Sequence, residues 1–219
     1  LARAWDDGFF ADLVVPYHGL ARDNNLRPDS TLERLAKLPG AFKEGGSISA
    51  ANSSPLTDGA SAVLLASEGW ARSRGLPVLA WLTACETAAV DFVDEREGLL
   101  MAPAYAVSRM LQRRGLALQD FDFYEIHEAF AAVVLCTLAA WESPEFCRER
   151  LGLEAPLGSI DRARLNVKGS SIAAGHPFAA TGGRIVGTLA KMLAQSGGGK
   201  GLISICAAGG QGVTAILER

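Results

Sequence analysis

Apolar and polar positions alternate most regularly from residue 77 to the end of the chain, where they predict successive strands and helices. Short, continuous apolar runs predict four buried strands: 78–90, 121–126, 203–207 and 212–217. Longer segments with apolar residues at helical spacing predict three helices: 102–116, 128–141 and 185–196. This order of elements indicates an α/β layered fold in which helices cover a mixed sheet.

The preceding part of the chain follows a less regular pattern. It predicts three short elements: a helix over 29–38 capped by Asp29 or Ser30, a strand over 47–54, and a helix over 56–75. Further along, the segment 143–160 is polar and broken, which is typical of a surface insertion.

Composition and charge restrict the class of protein. The chain of 219 residues is 49% apolar and 21% charged, a balance typical of a soluble globular protein. A net charge of −3 gives no reason to expect nucleic acid as a partner. The apolar run 129–141 is too short to span a bilayer, and no signal peptide opens the chain. We therefore expect a cytoplasmic protein without a membrane span.

The cysteines lie far apart, with no CxxC pair and no histidine at metal-ligand spacing. They are Cys85, Cys136, Cys147 and Cys206. We therefore expect reduced thiols, and neither a disulfide framework nor a metal site. Cys85 and Cys136 fall inside apolar segments and Cys147 inside the polar insertion, so their context favours structural roles.

A glycine-rich loop, residues 169–184 (GSSIAAGHPFAATGGR), is the most distinctive stretch of the chain. A helical pattern follows it directly, so backbone N–H groups and the positive end of a helix dipole can face a ligand. His176 lies between Gly175 and Pro177, and histidine is the side chain best suited to proton transfer near neutral pH. The alternative interpretation is a purely structural turn.

Two further residues fall where side chains of an α/β sheet can converge. His127 lies where the strand 121–126 becomes a helix, and Cys206 ends a strand before a flexible turn. Ligand sites in open α/β sheets form at the carboxyl ends of strands. If the fold brings both residues to His176, the three make a Cys/His set for proton transfer. The alternatives are a histidine that caps a helix and an inert buried cysteine.

Four motifs occur in order along the chain: NSSPLTDGASAVLLAS (52–67), HEAF (127–130), GSSIAAGHPFAATGGR (169–184) and CAAGGQG (206–212). From about Arg22 to the end, the chain resembles the C-terminal half of a thiolase, a 3-ketoacyl-CoA thiolase or acetyl-CoA acetyltransferase. With histidine in the HEAF motif, the chain is most similar to the thiolase subunit of the fatty-acid-oxidation trifunctional complex. The resemblance implies a thiolase-like layered fold, with a mixed five-stranded sheet and helices on both faces.

The resemblance also implies roles for individual residues. His176 would be the base that activates a nucleophilic cysteine, and Cys206 would take and return the α-proton of acetyl-CoA. His127, where many thiolases have asparagine, would fix a water that forms an oxyanion hole with His176. The Ala208 backbone N–H would be the second oxyanion donor. Four residues would contact coenzyme A: Ser54, Ala129 and Phe130 along the pantetheine tunnel, and Arg27 on the nucleotide side.

Departures from the family pattern bear on these roles. Ala179 replaces a common glycine, and Ala207 and Ala208 stand where many thiolases have glycine. No residue corresponds to the acylated cysteine, which the family carries in its N-terminal domain. We therefore expect a truncated chain that is inactive by itself. Its expected parts are 1–45 as the end of the loop domain, 46–69 as a remnant of the N-terminal domain, and 70–219 as the C-terminal domain.

The expected function is that of a CoA-dependent acyltransferase, which interconverts 3-ketoacyl-CoA plus CoA with acyl-CoA plus acetyl-CoA in fatty-acid β-oxidation. Coenzyme A would be a substrate, and no cofactor is implied. The resemblance also implies a homodimer or homotetramer and a hydratase/dehydrogenase partner subunit. Two alternatives stay open. One is a ketoacyl-acyl-carrier-protein synthase of the same broad fold, and the other is a non-catalytic lipid-binding module.

Overall fold

One open mixed sheet organises the molecule, whose computed structural model describes residues 1–94 and 96–219. The strands are β1 (Trp81–Ala89), β2 (Phe123–Ile126), β3 (Lys200–Ala207) and β4 (Gln211–Glu218). They lie in the order β1-β4-β3-β2. β2 runs parallel to β3, and the other two pairs are antiparallel. The last two predicted strands are therefore present and pair with each other in antiparallel orientation.

Helices precede, separate and cover the strands. In the described part of the chain they are α1 (Ala2–Asp6), α2 (Leu32–Leu35), α3 (Glu68–Ser73), α4 (Ala102–Arg114), α5 (Ala131–Glu142), α6 (Pro144–Glu149), α7 (Ser171–Ala174) and α8 (Thr181–Gln195), with a 3₁₀ helix at Arg162–Arg164. None of the helices in these residues combines the length and apolar character needed to cross a membrane.

Helices cover both faces of the sheet. Alternate residues of a strand point to opposite faces, so each strand contributes to two cores. Toward α4 and α5, Leu202 and Ile216 pack in one core with the fully buried Trp141. Toward α1 and α8, the adjacent residues Ile203 and Leu217 pack in a second core. Burying a side chain of this size contributes about 1.5–3 kcal/mol. The predicted layered α/β fold with helices on both faces is confirmed.

The sheet has four strands among the described residues, and the prediction of five is wrong in this respect. At the outer edge of β2, Leu165 forms a single parallel bridge with Tyr124. Asn166 then adopts a left-handed φ of +47°. Its side chain accepts the N–H of Ile126 and donates to the carbonyl of Ile126, both at 2.9 Å. The positive φ ends the extended run, so a side chain occupies the edge that a fifth strand would use.

Two short elements differ from their predictions in extent. The helix predicted over 29–38 is shortened to α2, and its N-cap is Thr31 and not one of the two residues before it. The Thr31 hydroxyl accepts a backbone N–H at 3.3 Å. The segment 143–160 is not wholly irregular, because Ser143 caps α6, which buries Cys147.

The stretch before α3 differs most from its predicted structure. Residues 47–54 form isolated bridges and no strand, and the helix predicted over 56–75 begins only at α3. Residues 60–66 have no regular secondary structure, and Leu64 and Leu65 are 74% and 69% exposed. A strand here needs a partner for its backbone and its apolar side chains. The described residues supply no such backbone partner for 60–66. Local preference is not enough to form a regular element, so the segment stays irregular.

Candidate active site

The carboxyl ends of the parallel strands β2 and β3 meet at one edge of the sheet. His127 is the first residue after β2, and its backbone N–H donates to the Ser204 carbonyl of β3 at 2.9 Å. Cys206 lies two residues further along β3, which at about 3.3 Å per residue is roughly 7 Å beyond Ser204. The structure therefore places His127 and Cys206 at the same sheet edge.

The loop that carries His176 lies against an extended segment. The backbone N–H of His176 donates to the Pro55 carbonyl at 2.9 Å. Gly175 has φ +104°, and a Cβ at this residue would lie 2.5 Å from the Thr57 side chain. Both the backbone conformation and the close approach require glycine here. The imidazole is thus held in place just before α8 begins.

His127 and His176 form a close pair, with ring centroids 4.2 Å apart and planes tilted by 43°. His127 is buried, with 1% of its surface exposed, whereas His176 is partly buried. Burial, followed by the neighbouring His176 and the Arg184 cation, lowers the pKa of His127 to about 3. Burial and Arg184 also lower the pKa of His176. Both rings are therefore predominantly neutral at pH 7, so each can donate and accept a hydrogen bond.

Each histidine is held through its Nδ1 atom by a hydroxyl group. The Ser171 hydroxyl lies 2.9 Å from Nδ1 of His127. The Thr181 hydroxyl lies 2.6 Å from Nδ1 of His176. Because an imidazole has only two ring nitrogens, these contacts leave the two Nε2 atoms for a substrate.

Three residues beside the pair were not predicted from the sequence: Glu125, Ser171 and Arg184. Arg184, in the first turn of α8, donates to the hydroxyls of Ser170 and Ser171 at 3.3 and 3.1 Å. Glu125 is fully buried in β2, and neither of its oxygens has a hydrogen-bond partner in the described residues. Burial raises the pKa of Glu125 to about 8, although Arg184 opposes the rise. A carboxyl inside an apolar strand, two residues before His127, is the sequence signal that could have revealed this cluster.

The thiol of Cys206 is buried, with 6% of the residue exposed. Burial raises the pKa of this thiol to about 11, so it carries its proton at pH 7. Along β3, Cys206 shares the face of Leu202, which points toward α4 and α5. Within the described residues, the imidazole hydrogen bonds go to Ser171 and Thr181 and not to this thiol. A cavity shared by all three predicted residues therefore stays a prediction.

Three of the four residues predicted to contact coenzyme A lie together. Ser54 donates its backbone N–H and its hydroxyl to the Ala129 carbonyl, at 3.0 and 3.1 Å. The adjacent Phe130 packs edge-on against Phe42, with ring centroids 5.8 Å apart. Phe42 also lines a surface depression of about 600 Å³ formed by residues 38–46. The contact of these residues with coenzyme A stays a prediction.

Arg27, the fourth of these residues, is exposed and makes its hydrogen bonds inside its own loop. Its guanidinium donates to the carbonyls of Asn24 and Leu26 at 2.9 and 3.0 Å. Both bonds use Nη1, so the N–H groups of Nε and Nη2 are available to a ligand phosphate.

The backbone conformation differs between Ala208 and Ala179, two of the alanines that replace a family glycine. Among the non-glycine residues that the structure describes, positive φ angles occur at His18, Asn166 and Ala179. Ala208 is not one of them, so alanine is unstrained at this position, and its role as an oxyanion donor stays a prediction. Ala179 has φ +65°, which in an L-residue costs about 1–2 kcal/mol and favours the glycine common in the family.

A shallow pocket of about 380 Å³ opens beside His176 and is lined by residues 56–59 and 176–178. Phe178 is 73% exposed, and its ring centroid lies 5.1 Å from that of His176. His176 is therefore the member of the pair that faces an open space. In residues 1–94 and 96–219, no group of three or more His, Cys, Asp or Glu side chains is arranged to hold a metal ion.

The fold is thus that of an α/β protein with a neutral imidazole pair beside the carboxyl end of β2. The chain matches the family model of the thiolase C-terminal domain over residues 76–219 and that of the thiolase N-terminal domain over residues 1–69. The chain therefore belongs to the thiolase family. The predicted division into 1–45, 46–69 and 70–219 stays a prediction.

Individual relatives agree with the family match. The 3-ketoacyl-CoA thiolase of Yersinia pestis (strain Pestoides F) is 45% identical over 224 residues, covering 99% of this chain and 51% of that protein. The crystal structure of the Bacillus anthracis acetyl-CoA acetyltransferase has a TM-score of 0.81 at 34% identity, covering 99% and 52% of the two chains. Human mitochondrial 3-ketoacyl-CoA thiolase in complex with CoA has a TM-score of 0.79 at 31% identity, covering 99% and 51%. The chain thus spans about half the length of the relatives it matches.

Proposed function

We propose that the chain forms the proton-transfer and CoA-binding part of a thiolase-type acyltransferase. This enzyme interconverts 3-ketoacyl-CoA plus CoA with acyl-CoA plus acetyl-CoA. The observation that carries the proposal is the pair of histidines, 4.2 Å apart, at the carboxyl end of β2. Relatives named 3-ketoacyl-CoA thiolase and acetyl-CoA acetyltransferase support the same chemistry.

His176 acts as the base in this reaction. The Thr181 hydroxyl has an acceptor in the Pro177 carbonyl at 3.4 Å, so its oxygen can accept the Nδ1–H of His176. The Nε2 lone pair then takes the proton of a cysteine thiol, which the family resemblance places outside residues 1–219. The resulting thiolate attacks C3 of the 3-ketoacyl-CoA. The C2–C3 bond breaks, leaving an acyl-cysteine and the enolate of acetyl-CoA.

Cys206 completes the proton balance. Its thiol has a raised pKa of about 11, so at pH 7 it holds a proton and can give it to C2 of the enolate. The Cys206 thiolate then takes a proton from the incoming CoA, whose sulfur attacks the acyl-cysteine. Cleavage of that thioester releases acyl-CoA, and the imidazolium of His176 returns the proton to the nucleophile.

Six further residues bind the substrate in this proposal. His127 and the Ala208 backbone N–H donate to the oxyanions that develop on the thioester oxygens. Ser54, Ala129 and Phe130 line the path of the pantetheine, and Arg27 contacts the nucleotide. Their support is the Ser54–Ala129 contact beside the aromatic pair of Phe130, together with the CoA complex of the human relative.

The test is exchange of the acetyl-CoA α-protons with D₂O, catalysed by a polypeptide in which a nucleophile-bearing half precedes residues 1–219. Cys206→Ala is expected to lower exchange and turnover by about 10²–10⁴-fold, the usual range for general acid–base catalysis. Acylation of the nucleophile by acetyl-CoA, the first step of the reverse condensation, should survive much better, because it breaks only the thioester C–S bond and leaves the α-carbon untouched.

Cys147→Ala is the matched control, because this thiol is also buried but donates to the Ala140 and Trp141 carbonyls of α5. It should lower stability and leave exchange intact. Equal loss of both half-reactions in Cys206→Ala would contradict the proposal. Absence of exchange in the unsubstituted polypeptide would instead favour a non-catalytic lipid-binding module.

Assembly and location follow from the same proposal. The complete protein is a homodimer or homotetramer in the cytoplasm, and a hydratase/dehydrogenase subunit is its partner. The support is the family match, together with HEAF at 127–130. Sedimentation of the complete protein, alone and with the hydratase/dehydrogenase subunit, tests the oligomeric state and the partnership. A ketoacyl-acyl-carrier-protein synthase is disfavoured, because both thiolase domain models match the chain.

A further inference from the structure

A buried chain of polar groups lies behind the histidine pair. Nη2 of Arg184 is 3.1 Å from the Ser171 hydroxyl, which is 2.9 Å from Nδ1 of His127. Ser171 and His127 are 0% and 1% exposed. A cation, a hydroxyl and an imidazole are therefore joined in series, away from water.

The direction of each hydrogen bond follows from which atoms carry hydrogens. A guanidinium only donates, so the Ser171 oxygen accepts from Arg184. The hydroxyl hydrogen of Ser171 then requires an acceptor, because buried polar hydrogens are rarely left unpaired. Nδ1 of His127 is the side-chain acceptor that it reaches within the described residues. The adjacent cation polarises the hydroxyl and strengthens this donation.

We propose that Arg184 and Ser171 are positioning residues that hold His127 in one neutral tautomer, with its proton on Nε2. In this form the ring is a fixed hydrogen-bond donor toward the space it shares with His176. Thr181 differs from Ser171, because its hydroxyl has the Pro177 carbonyl as a second acceptor. The use of His127 as an oxyanion donor rests on the proposed function, whereas the tautomer itself does not.

The test reads the protonation of each imidazole nitrogen from long-range ¹H–¹⁵N spectra of the full chain labelled with ¹⁵N-histidine. The pH is about 7.5, above the ordinary histidine pKa of about 6.5. The chain has three histidines, and the exposed His18 gives the reference tautomer ratio. We expect the ratio of Nε2–H to Nδ1–H in His127 to exceed this reference by about tenfold. That factor corresponds to about 1.4 kcal/mol, the net contribution of one buried hydrogen bond.

Two adjacent serines separate a positioning role from a merely structural one. Ser171→Ala removes the donor and should lower the His127 ratio about tenfold, toward that of His18. Ser170→Ala is the matched control, because Ser170 is 1% exposed and also accepts from Arg184, at 3.3 Å, but does not hold His127. Arg184→Met removes the cation and should act in the same direction as Ser171→Ala. If Arg184→Met does not fold, the serine pair still decides.

A proton on Nδ1 of His127 in the unsubstituted chain would overturn the proposal. An equal response to Ser170→Ala and Ser171→Ala would overturn it too. If the tautomer pattern is as expected but α-proton exchange is absent, the positioning role stands and the proposed function fails. The two ideas can therefore fail separately.

Discussion

Glu125 shows at the residue scale how burial decides the charge of a group. Its side chain is fully buried in β2, with both oxygens unpaired within the described residues. A carboxylate in this environment loses hydration that nothing replaces, so the group keeps its proton and its pKa rises to about 8. Arg184 opposes the rise but directs its hydrogen bonds to the two serines. Glu125 therefore makes the free energy of unfolding depend on pH, next to the histidine pair.

Glu125→Gln should change how stability depends on pH. The native state holds the Glu125 proton up to a pKa of about 8, whereas the ordinary value is 4.5. The folded chain therefore binds this proton more tightly than the unfolded chain, and the free energy of unfolding falls as pH rises through that window. The variant lacks this loss, so between pH 5 and 9 the original chain should lose on the order of 3–5 kcal/mol more than the variant. Urea unfolding at both pH values measures this, and parallel curves would contradict it.

The ends and interiors of helices show at the element scale how a single backbone angle matters. α4 ends at Gly115, which has φ +62° and whose N–H donates to carbonyls in the last turn. Gly187 instead lies inside α8. A Cβ at either glycine would have no atom within 4 Å, so conformation alone decides the effect of a side chain.

Gly115→Ala and Gly187→Ala are therefore expected to have opposite effects. The first forces alanine into the left-handed region and should lower the free energy of unfolding by about 1 kcal/mol. The second replaces glycine with alanine inside a helix and should raise it by about 0.8–1 kcal/mol. Thermal or urea unfolding of both variants measures the pair. Changes of the same sign would show that packing, and not backbone conformation, governs one of the sites.

At the scale of the whole molecule, several large apolar side chains are exposed. Among them are Leu64 and Leu65 in the segment 60–66, and Leu135 of the helix α5, which is 50% exposed. Monomeric proteins rarely expose contiguous apolar patches of this kind, because such surfaces associate. The chain in isolation is therefore expected to self-associate.

Leu65→Lys should weaken this association about tenfold or more, because it places a charge on an exposed apolar segment. Leu65 is 69% exposed, so the free energy of unfolding should change by less than about 0.5 kcal/mol. Leu32→Lys is the control, since Leu32 is 82% exposed but lies in the isolated helix α2. Sedimentation at several concentrations measures the effect. The same response in both variants would show that the segment has no special role.

Residues 1–219 alone are expected to have no thiolase activity. Thiolysis requires a covalent acyl-enzyme. The proposed function places the acylated cysteine outside these residues, so in that proposal neither His176 nor Cys206 has an intermediate to act on here. Incubation with acetoacetyl-CoA and CoA should give no turnover, and mass spectrometry should find no acyl adduct on the chain. Turnover by a sample shown to contain only these residues would refute this prediction.

The order of elements from residue 77 onward was determined by the sequence itself. Periodic apolar positions decide which segments can bury a face, so the four strands and the helices α4, α5 and α8 could be predicted. His127 and His176 could be singled out as well, because strand ends and glycine turns are recognisable locally. These features depend on neighbours only a few residues away.

The tertiary structure decided the features that depend on distant parts of the chain. Arg184 and Glu125 come together only because α8 packs across β2, and no local pattern contains that contact. The segment 60–66 also lacks the structure that its composition favours, because strands and buried helices form only where a partner covers their apolar face. Sequence periodicity specifies what each element can bury, and packing alone specifies which side chains it meets.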